Sequence, residues 1–342
     1  MNDPLLVEVS RGAQIESRHS GALAISDSGG RLLLALGEVS RGVFPRSAVK
    51  ALQALPLIET GAADRYGLDD AEIALACASH RGEARHVATA RGVLRKAGMD
   101  EPCLECGVHW PGDEETARDM ARRGETPTQL HNNCSGKHSG FICVACHEGV
   151  AAKGYVRPDH PVQRRIRSVL RETTGDAIDD RAMAVDGCSI PTFAIPLAAL
   201  ARAFARFGTG ETFDAARAQA AARIRAAVAA QPFMVRGTGG FDTVLMQALK
   251  QRAFTKTGAE GVYCAALPEL GLGVALKCWD GAGRAAEVVM ASVIARLLSL
   301  DDDERPVVEA AMTPKLKNWN GTEVGALSPS ADLLRALEAA RA

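Results

Sequence analysis

Ser47-Ala48-Val49-Lys50 sets a hydroxyl and an amine three residues apart. On a helix, positions i and i+3 share a face, so the two groups can meet as nucleophile and base. Ala51-Leu52-Gln53-Ala54-Leu55 continues as helix. The pair would then sit at a helix N-terminus, where the positive dipole end favours developing negative charge. A lone S-x-x-K is short, and most copies are solvated helix starts. Two other stretches bear on the choice. Lys256-Thr257-Gly258 precedes Gly261-Val262-Tyr263-Cys264-Ala265-Ala266-Leu267, which has strand character. Ser79-His80 follows the apolar run Ile73-Ala74-Leu75-Ala76-Cys77-Ala78, where a serine ordinarily ends a buried segment and caps the next.

S-x-x-K with a later K-T-G is the signature of serine β-lactamases and penicillin-binding proteins, in which the K-T-G strand borders the site. Those enzymes use a further serine in a middle motif. The chain has no Ser-Asp-Asn, and Ser79 is its candidate for that position.

The densest polar cluster is His131-Asn132-Asn133-Cys134-Ser135-Gly136-Lys137-His138-Ser139-Gly140. Asn132 or Asn133 can cap a helix start, and the small residues let a backbone or ligand come close. Asp186-Gly187-Cys188-Ser189-Ile190-Pro191 is a second loop with a carboxylate two residues from a cysteine. Alone, it reads as an ordinary Asp-Gly turn.

The 342 residues are 47% hydrophobic, enough to bury a large core. A net charge of −1 gives no electrostatic case for nucleic acid or an anionic membrane, and only 4% of residues are aromatic, which disfavours base-stacking platforms. Met1-Asn2-Asp3-Pro4-Leu5-Leu6 lacks a basic n-region, and no apolar stretch is long enough to span a bilayer, so a cytoplasmic location is expected. Nine cysteines then read as reduced thiols. Cys103-x-x-Cys106 and Cys143-x-x-Cys146 are spaced too widely for an ordinary zinc knuckle.

Residues 5–10, 21–27 and 31–37 read as strands, the last two joined at Asp27-Ser28-Gly29-Gly30. Helices are predicted over 47–61, 84–97, 114–123, 161–173, 196–207, 212–230, 287–299 and 330–341. Strands are predicted near 262–267, 272–278 and 285–289. Strands at both termini with helices between predict an α+β class. One antiparallel sheet would form from about 1–40 and 255–330, with a helical region of about 45–250 inserted in a single 1–342 domain. The alanine- and arginine-rich 214–230 reads as a solvated amphipathic helix. No dinucleotide or P-loop signature stands in its required setting.

Taken in order, Arg46-Ser47-Ala48-Val49-Lys50, Cys77-Ala78-Ser79-His80 and Asn132-Asn133-Cys134-Ser135-Gly136-Lys137-His138 form a recognisable set. It continues through Asp186-Gly187-Cys188-Ser189-Ile190-Pro191-Thr192, Lys256-Thr257-Gly258-Ala259-Glu260-Gly261 and Asn318-Trp319-Asn320-Gly321. On these motifs the chain resembles the rhizobial-type asparaginases, the asparaginase II family. The resemblance implies a serine-β-lactamase-like fold and hydrolysis of L-asparagine to L-aspartate and ammonia. It implies two Ser–Lys tandems, Ser47 with Lys50 and Ser79 with Lys256. It also implies zinc held by Cys134, Lys137 and Cys188, no organic cofactor, and a homodimer. Arg46, His138, Asp186 and Tyr263 are the candidate substrate-binding residues. Two positions depart from the family pattern: Ala51, where relatives often carry proline, and Gly240, where they often carry arginine. Arg236 is near enough in sequence to stand in for the latter.

Amide hydrolysis needs a nucleophile and a base, and a lysine of ordinary pKa cannot serve as base at neutral pH. Burial and a second ammonium both lower that pKa, and a Lys50/Lys256 pair would supply the second effect. Ser47 is then the nucleophile with Lys50 as base, while Ser79 and Lys256 relay protons and Ser79 is a rival nucleophile. The alternatives are another serine amidohydrolase of this type (glutaminase, peptidase or β-lactamase) or a non-catalytic metal-binding module.

Overall fold

A computed structural model describes residues 3–340, so residue 341 of the expected last helix and the Met1-Asn2 start lie outside the described residues. In chain order the strands are β1 (Leu5–Arg11), β2 (Gln14–Asp27), β3 (Leu32–Leu36), β4 (Gly42–Val43), β5 (Met183–Val185), β6 (Pro191–Phe193), β7 (Ile195–Pro196), β8 (Phe254–Thr257), β9 (Val262–Leu267), β10 (Leu272–Cys278), β11 (Lys315–Lys317) and β12 (Glu323–Pro329). The helices are α1 (Lys50–Glu59), α2 (Ala62–Arg65), α3 (Asp70–Ala76), α4 (Ala84–Lys96), α5 (Glu114–Arg122), α6 (Ser135–His147), α7 (Pro161–Thr174), α8 (Leu197–Thr209), α9 (Ala215–Ala230), α10 (Phe233–Arg236), α11 (Phe241–Leu249), α12 (Gly283–Leu297), α13 (Glu304–Met312) and α14 (Ala331–Ala339).

The main sheet runs β11-β12-β1-β2-β10-β9-β8, with β3 also on β2, and its pairings are antiparallel. Both termini contribute, so the class is α+β as the strand pattern predicts. β2 does most to join them. Its Gln14–Ser20 half pairs with β1, and its Gly21–Asp27 half pairs with β10.

The two faces of the sheet differ in side-chain size. Ala22, Ala24, Cys264, Ala266 and Ala275 face the helical region, whereas Leu23, Ile25, Leu267, Val274 and Leu276 face the core that includes α12. This is the period-2 alternation of strands. The small face lets α8 lie close: a Cβ at Gly273 would fall 2.0 Å from the Ala201 carbonyl oxygen. Lys256 stands opposite Cys264 in the register and therefore points to the helical side.

The expected strand at 285–289 is instead part of α12. Ala285, Ala286, Val289, Met290, Val293 and Ile294 repeat at helical spacing, and the period outweighs the β-branched residues in the window. The C-terminal strands beyond it are β11 and β12. The alanine-rich α9 buries Ala220, Ala221, Ile224, Ala227 and Val228, and its Arg217 pairs with Glu59 and Glu172. It is thus a packed, half-buried helix more than a solvated one. No described helix is long and apolar enough to cross a membrane.

The helical layer carries two site segments at close range. α3 is opened by an Asp69/Glu72 capping box and leads into Cys77-Ala78-Ser79. α6 starts just after Cys134 and packs across α3 at Gly136, where a Cβ would lie 2.3 Å from the Leu75 carbonyl oxygen and 2.5 Å from Leu75 Cγ. Backbone and core atoms there have little room to yield. Gly136→Ala should therefore destabilise the protein by about 1–3 kcal/mol through overpacking. Urea unfolding that shows wild-type stability for the variant would remove Gly136 as the spacer between the two segments.

Candidate functional site

The Ser79 hydroxyl is the meeting point of two buried amines. Lys50 Nζ donates to Ser79 Oγ at 3.0 Å, and Lys256 Nζ donates to it at 2.9 Å. Lys50 also reaches the Ala78 carbonyl at 2.5 Å and Lys256 the Thr257 carbonyl at 2.7 Å. Both lysines are 0% exposed. Burial lowers the Lys50 pKa, Cys134 and Cys188 oppose this, and Lys137 adds to it. Burial also pushes the Lys256 amine down to about 7; Asp242 opposes the shift and Lys50 reinforces it. The like-charge effect between Lys50 and Lys256 is therefore felt at Lys256, while the cation that depresses Lys50 is Lys137.

Ser47 lies in a 3-10 turn, Arg46–Val49, that runs directly into α1 at Lys50. Its carbonyl accepts the Lys50 backbone N–H. The Lys50 side chain turns inward to Ser79. Ser47 instead lines a pocket of about 200 Å³ together with Arg46, Asn133, Cys134, Asp186 and Cys188. Arg46 Nε donates to Asp186 Oδ1 at 2.6 Å. Burial pushes the Asp186 carboxyl up, but the Lys137 charge and the Arg46 bond outweigh this and hold it below its usual value. Arg46 (φ 49°) and Ser189 (φ 74°) both adopt the left-handed conformation beside Ser47 and Cys188. Strain of this kind in non-glycine residues concentrates at functional sites.

Cys134, Lys137 and Cys188 form one buried cluster. Lys137 Nζ donates to Cys188 Sγ at 3.2 Å. The Cys188 hydrogen bond, with Lys50 and Lys137, holds the Cys134 thiol well below its usual pKa against the opposing effect of burial. The bond to Cys134 and burial push Cys188 upward. Among the described residues no three His, Cys, Asp or Glu side chains converge as a metal-holding group; this set is two sulfurs and an amine. Tetrahedral zinc with one S and one N ligand separates those atoms by roughly 3.5 Å, close to the spacing here. The soft donors suit zinc once the amine sheds its proton.

His138 and Tyr263 are not brought to the pocket. His138 is buried, its Nδ1 2.6 Å from the Tyr155 hydroxyl. The Tyr263 hydroxyl donates to Asp242. Two residues without a sequence signal do matter. His109 lines the pocket and its Nε2 accepts the Asn133 backbone N–H at 2.9 Å. Nothing in Val108-His109-Trp110 distinguishes it from an ordinary loop histidine. The other is Asp242, taken up below. Arg236 lies across Gly240, where a Cβ would fall 2.3 Å from Arg236 Cγ, and its Nη1 donates to the Ser79 carbonyl at 3.2 Å. Arg236 thus occupies the space a side chain at position 240 would need.

The L-asparaginase II family model matches residues 7–329, nearly the whole chain. The chain belongs to the L-asparaginase II family. It is an amidohydrolase of the L-asparaginase class, with a small-molecule substrate, and membership implies asparagine hydrolysis. A search of curated proteins finds no match.

Asp242 holds Lys256 in this asparaginase from both sides. It is 0% exposed and accepts from Thr255 Oγ1 at 2.9 Å, from the Thr257 backbone N–H at 3.2 Å and from Tyr263. Nothing in Phe241-Asp242-Thr243 marks it, because an aspartate in the first turn of a helix is an ordinary helix-start residue. Its charge raises the Lys256 pKa, so Asp242→Asn should move that pKa below about 7. The variant should also lose about 1–3 kcal/mol of stability, the cost of a weakened buried network. An NMR titration of the Lys256 amine checks this; an unmoved or raised pKa would break the electrostatic link.

Proposed function

We propose that the protein hydrolyses L-asparagine to L-aspartate and ammonia by Ser–Lys nucleophilic catalysis on a serine-β-lactamase-like fold, as one catalytic domain. The observation that carries this reading is the Ser79 hydroxyl held by both Lys50 and Lys256 beside the pocket that Ser47 lines. A nucleophile must meet the substrate, and Ser47 is the serine in the open pocket. A proton relay must touch both amines, and Ser79 does. The Ser47 side chain rotates toward Lys50, gives its proton to the neutral amine, and adds to the side-chain amide carbon. Ser79 passes the proton between Lys50 and Lys256, and the C–N bond breaks as the leaving ammonia takes it up; water then cleaves the acyl-serine, giving aspartate and the free serine. Asp186 receives the substrate α-ammonium and Arg46 its α-carboxylate, a charge pairing that suits an amino-acid zwitterion.

Cys134, Lys137 and Cys188 would hold zinc. When bound, it would fix the two loops that flank the pocket and supply modest Lewis acidity at the substrate. The protein is read as a cytoplasmic homodimer. The nine free cysteines suit a reducing compartment, and the dimer follows from the family resemblance.

Four measurements test the reading. Ser47→Ala should lower asparagine turnover by about three orders of magnitude or more in a folded protein. A slow-reacting amide or ester should leave an acyl adduct on the peptide that contains Ser47. An adduct on Ser79 would transfer the nucleophile's role to that residue.

The neutral lysine is the active form, so the rate should rise with pH and level off above the lysine pKa. Burial lowers the pKa of Lys50, the base, and puts Lys256, its relay partner, at about 7, so the rising limb should lie below the ordinary lysine range. A profile that is flat from about pH 6 to 8.5 would argue against lysine as the base.

Protein purified without added metal should contain about one zinc per chain. A Cys134→Ser/Cys188→Ser double variant should lose it and weaken substrate binding more than folding, because the core does not need a metal. Elemental analysis decides this, and unchanged zinc in the double variant would exclude the site.

A further inference from the structure

The pocket that Ser47 lines is about the size of an amino acid, at about 200 Å³. A second cavity of about 610 Å³ adjoins it, and His109 and Asn133 line both. Asn133 also touches the chemistry, since its carbonyl accepts from Lys50 Nζ at 3.4 Å. The larger cavity's wall includes His80, next in sequence to Ser79, and Arg236, which is bonded to the Ser79 carbonyl. Asparagine and ammonia do not account for this volume.

The lining is chemically divided. Phe241, Val244, Leu245 and Val307 make an apolar wall. Glu287 stands in it with no hydrogen bond or ion pair to another described residue. Burial and the nearby Asp242 push its carboxyl up to about 7, with Arg236 opposing. A cation seated beside it would restore the carboxylate and remove that penalty. A chain with an apolar stem and a cationic end matches both features.

We propose that the reaction site extends into this cavity, and that the protein hydrolyses N4-substituted asparagines whose amine carries a short apolar stem ending in an ammonium group. The proposal rests on the asparaginase reading of the site. The aspartyl half occupies the small pocket and the amine half the large one. The serine Oγ bonds to the amide carbon, and its proton passes to lysine. The C–N bond breaks as that proton moves to the departing amine. Water then cleaves the acyl-serine, giving aspartate and the free serine.

The test compares asparagine, N4-butylasparagine and N4-(4-aminobutyl)asparagine with the full-length protein. Wild-type kcat/KM for the aminobutyl amide should be within about tenfold of that for asparagine or higher, since the stem and the ammonium both gain contacts. Glu287→Gln should lower kcat/KM for the aminobutyl amide by about tenfold or more and leave asparagine and the butyl amide within about twofold. Ala311→Trp, which fills the cavity, should lower both extended amides and spare asparagine. Asparagine turnover without turnover of either extended amide overturns this inference alone. So does extended-amide turnover that both variants leave unchanged. Absence of asparagine turnover in the wild-type protein overturns the asparaginase reading and this inference together.

Discussion

Two lysine amines buried within hydrogen-bond distance of one hydroxyl are the constraint on which the rest of the site depends. Taking an ammonium out of water costs several kcal/mol unless partners replace its hydration. Here the partners are carbonyls, a serine oxygen, and more distant acidic groups. The Ala78 and Thr257 carbonyls take one proton of each amine and Ser79 takes another. This supports the amines without neutralising them by direct ion pairs. A direct carboxylate contact would hold each lysine charged and useless as a base. The arrangement leaves burial as the largest influence on both, so both pKa values fall, that of Lys256 to about 7.

The fold brings the three contributing segments together by separate means. Lys50 is delivered by α1 and Ser79 by the exit of α3, both from the helical layer. Lys256 comes from β8 at the end of the sheet. Its side is decided by strand parity: residues 254, 256 and 264 face the helical layer, while 255, 257 and 263 face α11. A one-residue slip in β8 would send the amine to the wrong face. Asp242 opposes such a slip because it binds residues 255 and 257 together. The close contact at Gly136 fixes the remaining distance, from the Cys134–Lys137 segment to α3.

Much of this was legible in the sequence, for stateable reasons. The S-x-x-K spacing, the K-T-G strand and the Asn-Cys-Ser-Gly-Lys-His block are local, and each specifies its own side-chain types. β9 and β10 were legible because their patterns are short and flanked by turns. α12 was misread at its start because Val288-Val289 is β-branched, and the helical period emerges only over a longer window. The inward turn of Lys50 to Ser79 was not legible, because i, i+3 proximity says which groups can meet and not which partner wins in three dimensions. Asp242 and His109 act through residues far away in sequence, so no local pattern marks them. His138 is polar and lies in the densest motif, yet it is packed against Tyr155 as a core residue.

The charges around the site form one linked set. Lys137 lowers the pKa of Lys50, and the Cys134 and Cys188 sulfurs raise it. Asp242 raises Lys256 and Lys50 lowers it. Asp186 is held down by Lys137 and Arg46. No member titrates independently of its neighbours. The proposed zinc would enter the same set. To bind it Lys137 must lose its proton, which would remove the cation that depresses Lys50 and put the metal's own charge in its place.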